Sequence, residues 1–270
     1  MPPRFVGVAG LPRSGSTLLC QLLAQHPDVD SEGHSSPLCN VLMMIRRFVS
    51  DDDFMLAQLD AQFERSYANL RNAMAAFLHG WHAASGKGLV VDKNRAWLHC
   101  VEMLLQLDPD ARLLIPIREL GQIYGSIEAQ HQRTILLDFT DHLADFDRFG
   151  RADQLFAKDK AIGAPLSSIR AIEELPQAAK SRLYFVKFED LMHRPGDTVR
   201  AVCDWLQLPP HAIDLKALAV RPHESDSHYR YKYLHRQLDR LEPPLRHDIP
   251  PRIQAQIEQI YGWYYQWFYP

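Results

Sequence analysis

No two of the four cysteines form a C-x-x-C pair: Cys20, Cys39, Cys100 and Cys203 are scattered along the chain. That spacing removes a zinc ribbon and a dithiol redox motif, and it leaves reduced, mostly buried thiols as the reading. Long hydrophobic runs are missing as well, so nothing approaches a membrane span, and the first strand begins too early to leave room for a secretory leader. Charge of one sign is not in excess: 30 Lys and Arg stand against 33 Asp and Glu, for a formal net charge of −3. A general nucleic-acid binder needs a basic balance, so any positive potential here has to be local. The expectation is a cytoplasmic protein with neither a membrane span nor a nucleic-acid partner. Internal repeats and low-complexity stretches are also lacking. What is present, 270 residues with 46% hydrophobic content, suffices for one large core, and a single domain over residues 1–270 is the default.

Four short apolar or β-branched runs, Phe5 to Ala9, Gly88 to Asp92, Arg112 to Ile117 and Arg182 to Phe188, are each followed by a helical pattern. This alternation predicts an α/β fold, a parallel sheet with helices on both faces, whose ligands gather at the carboxyl ends of the strands. Residues 38–85 read as helical from the spacing of Phe54, Leu59, Phe63, Leu70, Met74 and Phe77, and are expected to cover the sheet or line a cleft. Asp51, Asp52 and Asp53 read as an acidic cluster at a helix N-terminus. Residues 215–270 are basic and aromatic and end in YGWYYQWFYP, a cluster large enough for a subunit interface and hence a homodimer.

The most informative segment is Phe5 to Gln25, FVGVAGLPRSGSTLLCQLLAQ, in which an apolar strand runs through a glycine-flanked turn into a helix. Gly10 and Gly15 bracket the turn, and Ser16 and Thr17 open a helix whose unpaired N–H groups and dipole favour an anion. The spacing G-x-x-x-x-G-S-T is P-loop-like, but Ser16 stands where a triphosphate loop carries lysine. That lysine reaches the β- and γ-phosphates. A loop without it, and with Arg13 inside the turn, suits a nucleotide with a shorter 5′ anion.

The string LPRSGSTLL resembles the 5′-phosphosulfate loop of sulfotransferases that use 3′-phosphoadenosine-5′-phosphosulfate (PAPS), especially the tyrosylprotein sulfotransferases and their bacterial relatives. Two further segments carry the resemblance. In RLLIPIRELGQIYGSIEAQ, Arg118 leaves the third run and Ser126 follows eight positions later; the family's Arg and Ser at this spacing bind the 3′-phosphate, and an arginine fork suits that task. In GLVVDKNRAWLH, Asp92, Asn94, Arg95 and Trp97 match a D-x-N-R-x-W element of bacterial relatives, and Lys93 matches the lysine of an N-K-D-P element.

The resemblance implies sulfuryl transfer from PAPS, as co-substrate, to an acceptor hydroxyl, or less readily an amine, releasing adenosine 3′,5′-bisphosphate without a metal. Arg13, Ser14, Gly15, Ser16 and Thr17 would hold the 5′-phosphosulfate, Arg118 and Ser126 the 3′-phosphate, and Lys93 the bridging oxygen. The acceptor's proton needs a base. The family's catalytic glutamate falls on His34, with Glu32 two residues earlier, and either residue type can do the work. Phe188 replaces the usual tyrosine of a V-x-Y-E-D-L element, and Glu189 and Asp190 read as groups that cap the next helix. A basic segment near Ser227, Arg230, Lys232 and His235 corresponds to the family's cofactor-closing segment, with Lys232 the contact of choice. The acceptor, whether small molecule, glycan or peptide, is not named by any residue in the 38–85 acceptor-side region. Two other readings stay open: a P-loop kinase or NTPase without its lysine, and a catalytically silent nucleotide-binding protein.

Overall fold

The strands that sequence periodicity finds most easily are those with apolar residues on both sides, and such strands belong in the middle of a sheet covered on both faces. In the computed structural model, which describes residues 3–137, 142–220 and 239–270, this is what they form. The strands β1 (Arg4–Val8), β2 (Val29–Ser35), β3 (Leu89–Lys93), β4 (Arg112–Ile117) and β5 (Leu183–Lys187) make one parallel sheet in the order β2-β3-β1-β4-β5.

The helix α1 (Ser16–Leu23) links β1 to β2, and α2 (Leu38–Asp51), α3 (Asp53–Ala61) and α4 (Phe63–Trp81) precede β3. Then α5 (Val101–Leu107) leads to β4, while α6 (Leu120–Arg133), α7 (Arg148–Phe156), α8 (Gly163–Ala171) and α9 (Gln177–Lys180) separate β4 from β5. The chain continues through α10 (Phe188–His193) and α11 (Pro195–Trp205), and closes with α12 (Pro251–Ile260) and α13 (Gly262–Phe268).

Side chains of β1 alternate between two cores. Val6 and Val8 pack with Leu19 and Leu22 of α1 and with Val199 and Val202 of α11. Phe5 and Ala9 face Trp97, Leu104 and Ile123 on the other side. The connection after β1 therefore runs over one face and those after β3 and β4 over the other, which opens a crevice at the carboxyl ends of these strands.

β2 was not expected as a strand. Its sequence, VDSEGHS, is polar, because an edge strand needs an apolar face on one side only and takes its backbone hydrogen bonds from its single neighbour. Gly33, at φ 74°, sits in the left-handed region where the register with β3 shifts. The segment carrying Glu32 and His34 is thus part of the sheet and not a free loop.

The helices of residues 38–81 form as expected, with Asp52 capping α3 through its side chain to the Met55 N–H at 2.8 Å. Their apolar spacing overstated burial, however: Met74 is buried, but Phe54 is 82% and Phe63 57% exposed. The aromatic tail has the reverse outcome. It folds back onto the chain, with Tyr264 and Phe268 buried and the Phe185 and Phe268 rings 4.8 Å apart, so the surface that suggested a homodimer is largely used internally. Cys39 and Cys100, remote in sequence, bring their sulfurs to 3.6 Å as reduced, buried thiols. Among the described residues, no helix is long and apolar enough to cross a membrane.

Candidate functional site

All five strands deliver their following residues to the same edge of the sheet, and the sequence motifs collect there. The turn after β1 is pinned to β4 by Ala9 N–H to the Leu114 carbonyl at 3.0 Å and Leu11 N–H to the Pro116 carbonyl at 3.1 Å. Gly10 is required at this approach, since a Cβ would collide with the Pro116 carbonyl. Arg13 and Gly15 both have positive φ, 57° and 86°, and the turn they shape ends as the N-cap of α1. For a non-glycine such as Arg13 this is an uncommon conformation, held here by hydrogen bonds to its carbonyl and from its side chain.

Ser14 is buried and donates to the Leu11 carbonyl at 2.5 Å, so its hydroxyl braces the turn. Ser16 is half-buried at the first position of α1. Thr17, the second, accepts a hydrogen bond from the Lys93 ammonium at 3.0 Å. Lys93 ends β3 and is itself buried. A buried ammonium at the positive end of a helix dipole is electrostatically adverse, and an anion between lysine and helix relieves both.

The second motif meets the first. Arg13 Nε donates to Ser126 Oγ at 3.0 Å, and Arg118 Nη1 donates to the Arg13 carbonyl at 3.0 Å. Arg118 is buried, with its guanidinium 4.3 Å from the centre of the Phe188 ring. Burial lowers the Arg118 pKa, Glu189 opposes the shift, and Arg13 adds to it; its neighbourhood includes a second cation. The acids nearest Arg118 on α6 are engaged elsewhere: Glu128 pairs with Arg151 at 2.6 Å, and Glu119 caps α6 through Gly121 N–H and Gln122 N–H. Phe188, the substitution for tyrosine, therefore supplies an aromatic platform for Arg118. The same ring approaches Gly15, where a Cβ would stand 2.7 Å from it.

Glu189, in the first turn of α10, does not cap that helix. It accepts from Glu119 N–H at 3.1 Å and from the Tyr269 hydroxyl at 2.9 Å, bracing the turn after β4. Asp190 pairs with Arg194 at 2.8 Å. The D-x-N-R-x-W element is mostly structural: Asp92 accepts from Trp97 Nε1 at 2.8 Å and lies 3.1 Å from His82 Nε2, while Asn94 Nδ2 donates to the Ser36 carbonyl at 2.6 Å. Its effect is to fix the strand end that carries Lys93.

Of the two candidate bases, His34 is half-buried and adjoins Ser35, the residue paired with Lys93 in the sheet; Glu32 is exposed. At about 3.3 Å per residue, Glu32 stands roughly 10 Å back along β2 from that pairing. Lys232, Ser227, Arg230 and His235 lie outside the described residues.

A cleft of about 1090 Å³ opens beside Arg118 and Phe188 and takes part of its wall from Leu245, Arg246 and His247. This wall was not foreseen, because residues 243–250 follow no periodicity. A second cavity, about 850 Å³, lies between α2, α4 and α5 and is lined by Met74, His99 and Ser168, with His99 Nδ1 2.5 Å from Ser168 Oγ. Burial holds the His99 imidazole below the usual histidine pKa.

A family model described as "Sulfotransferase family" matches residues 4–212, which contain the turn, Lys93, Arg118 and Ser126. The chain belongs to the sulfotransferase family. Its curated relatives are distant. It is 22% identical over 211 residues to the protein-tyrosine sulfotransferase of Drosophila melanogaster, and 24% identical over 225 residues to the nodulation protein NoeE of Sinorhizobium fredii. These alignments cover 77% and 78% of the chain, and 38% and 52% of those proteins, so the chain spans about half or less of the curated relatives it matches. Among solved structures, the sulfotransferase domain from the curacin biosynthetic pathway superposes with a TM-score of 0.54 at 16% identity, covering 96% of this chain and 98% of that one. A sulfotransferase from Alicyclobacillus acidocaldarius gives 0.52 at 16% identity, over 82% and 88% of the two chains. Both likenesses are of fold, and both agree with the parallel α/β sheet.

Proposed function

We propose that this sulfotransferase moves a sulfuryl group from PAPS to an acceptor hydroxyl and releases adenosine 3′,5′-bisphosphate. The observation that carries the reading is the junction at Arg13, whose side chain reaches Ser126 while its carbonyl receives Arg118. That junction joins an anion-binding turn to a buried arginine fork, as a nucleotide with phosphate groups at both ends of its ribose requires.

The residues present fit that nucleotide. Gly10 and Gly15 keep the turn open where a Cβ would intrude, and the start of α1 offers backbone N–H groups to a 5′ anion. PAPS supplies the activated sulfuryl group when bound. Lys93 and Arg13 place positive charge where the departing phosphate end gains negative charge, an interaction that strengthens toward the transition state. His34 takes the acceptor's proton in this reading, and Glu32 is the alternative. The remainder of catalysis is positioning on strand ends held from both faces.

The reading of a kinase or NTPase without its lysine is less well supported. Its acidic magnesium ligands would have to come from Glu189 and Asp190, and these are engaged by Tyr269 and Arg194. The assay is transfer of radiolabelled sulfate from PAPS across a panel of phenolic, sugar and aliphatic alcohols. Label in any acceptor, abolished by Lys93→Ala, supports the proposal. PAPS bound but never consumed leaves the silent nucleotide-binding protein as the better account.

A further inference from the structure

Beyond the residues matched to the family, one side chain is built into the cleft that Arg118 lines. His247 lies in the irregular segment before α12, and a single side chain of α6 holds its backbone from both sides. The His247 N–H donates to Gln122 Oε1 at 2.9 Å, and Gln122 Nε2 donates to the His247 carbonyl at 3.0 Å. Gly125, one turn further along, lets the segment approach, since a Cβ there would stand 2.5 Å from that of His247. Ser126 is the next residue of the same helix. The half-buried imidazole and Arg118 line the same cleft.

The charges that shift this imidazole are cations. Burial lowers its pKa, and Arg118, Arg13 and Arg133 lower it further. From α6 and α7, Glu128 and Arg148 also face it across a small cavity, but Glu128 is bound by Arg151 and Arg148 donates to the Asp248 carbonyl. The other charged groups of the cleft are Glu119 and Glu189, already engaged by Tyr265 and Tyr269, together with Arg246, Asp248, His193 and Glu258.

We infer that His247 is a further ligand of the 3′-phosphate subsite, one that takes up a proton from solvent as the phosphorylated nucleotide binds. The inference rests on the PAPS reading, because it needs a 3′-phosphate in this cleft. Burial and the arginines disfavour the imidazolium in the free chain, and a phosphate dianion beside it favours that form. Affinity is therefore greatest at acidic pH and declines as pH rises through the pKa of the complex.

The test is titration calorimetry of the full chain with adenosine 3′,5′-bisphosphate near pH 6.5, about the ordinary histidine pKa, in buffers of different ionisation enthalpy. His247→Gln removes the titrating ring and corrects for protonation of the phosphate itself. Wild type should take up more protons than His247→Gln, and the variant should bind roughly tenfold more weakly or worse, the loss of one charge-assisted hydrogen bond. His247→Lys should keep the affinity without the uptake. Binding of adenosine 5′-phosphosulfate, which lacks the 3′-phosphate, should be the same in all three. Equal uptake and equal affinity in wild type and His247→Gln overturn the inference, as does an equal loss for both nucleotides. If wild type binds adenosine 5′-phosphosulfate or ATP but no adenosine 3′,5′-bisphosphate, the PAPS reading itself falls.

Discussion

The Tyr264 hydroxyl donates to the backbone carbonyl of Arg118 at 2.8 Å. Tyr264 is fully buried, and burial, followed by nearby Glu189, Tyr265 and Glu119, raises its pKa far enough to keep it a donor at any working pH. The neighbouring tyrosines act on the same turn: Tyr265 donates to Glu119 at 2.6 Å and Tyr269 to Glu189 at 2.9 Å. The C-terminal helix α13 thus braces the arginine assigned to the 3′-phosphate, although it lies outside the residues matched by the family model. Tyr264→Phe should destabilise the chain by about 1–3 kcal/mol, the cost of a buried carbonyl left without its donor, and should also weaken adenosine 3′,5′-bisphosphate binding. Denaturant unfolding and calorimetry measure the two effects. Lost stability with unchanged affinity contradicts the bracing role.

Lys93→Ala should lower kcat by roughly two orders of magnitude or more while leaving product-nucleotide affinity nearly intact, because its contact strengthens only as the bridging oxygen gains charge. Steady-state kinetics with one identified acceptor decides this. A variant with normal kcat returns Lys93 to a structural partner of Thr17.

The assignment of the base is open to a pH–rate comparison. His34→Ala should reduce kcat/KM by about 10²- to 10⁴-fold and remove the rising limb of the profile, whereas Glu32→Ala should leave both intact. An acceptor of high hydroxyl pKa keeps acceptor ionisation out of the measurement. If the limb survives in His34→Ala and disappears in Glu32→Ala, the two roles are exchanged.

A buried ion pair supports α6 from below. Burial opposes ionisation of Glu128, but hydrogen bonds from Arg151 and Gln132 outweigh it and hold the carboxyl below the usual range. A carboxylate with a depressed folded-state pKa contributes stability above its unfolded value, about 4.3, and loses that contribution as pH falls through the folded value. Wild type should therefore lose stability below that pH more steeply than Glu128→Gln. At neutral pH the variant should be about 3 kcal/mol less stable, since Arg151 keeps its buried charge without a partner. Thermal unfolding across pH reads both effects, and parallel curves contradict the account.

What could be read from the sequence was whatever had a local signal. The turn from Gly10 to Thr17 announces itself because the chain must pass from strand to helix around an anion, and the Arg118-to-Ser126 spacing is set by one strand exit and two helical turns. β2 could not be found by apolar runs, since a polar edge strand has none, and with it went the placement of His34 inside the sheet. The exposed Phe54 and Phe63 show the opposite failure: apolar spacing describes a helix face but not whether another element covers it. His247 reaches the cleft, and Tyr264 the Arg118 carbonyl, only through tertiary packing. No local pattern points to either one.

Recognition of a nucleotide by its 3′-phosphate in this cleft is tested most directly by calorimetry of wild type and Arg118→Ala against three ligands. These are adenosine 3′,5′-bisphosphate, adenosine 5′-phosphosulfate, and ATP with and without magnesium. Wild type should bind the bisphosphate without magnesium and in preference to ATP. Arg118→Ala should lose roughly 2–4 kcal/mol toward the bisphosphate and far less toward the phosphosulfate. Preference for magnesium–ATP, or equal losses for the two adenosine ligands in Arg118→Ala, would contradict the claim.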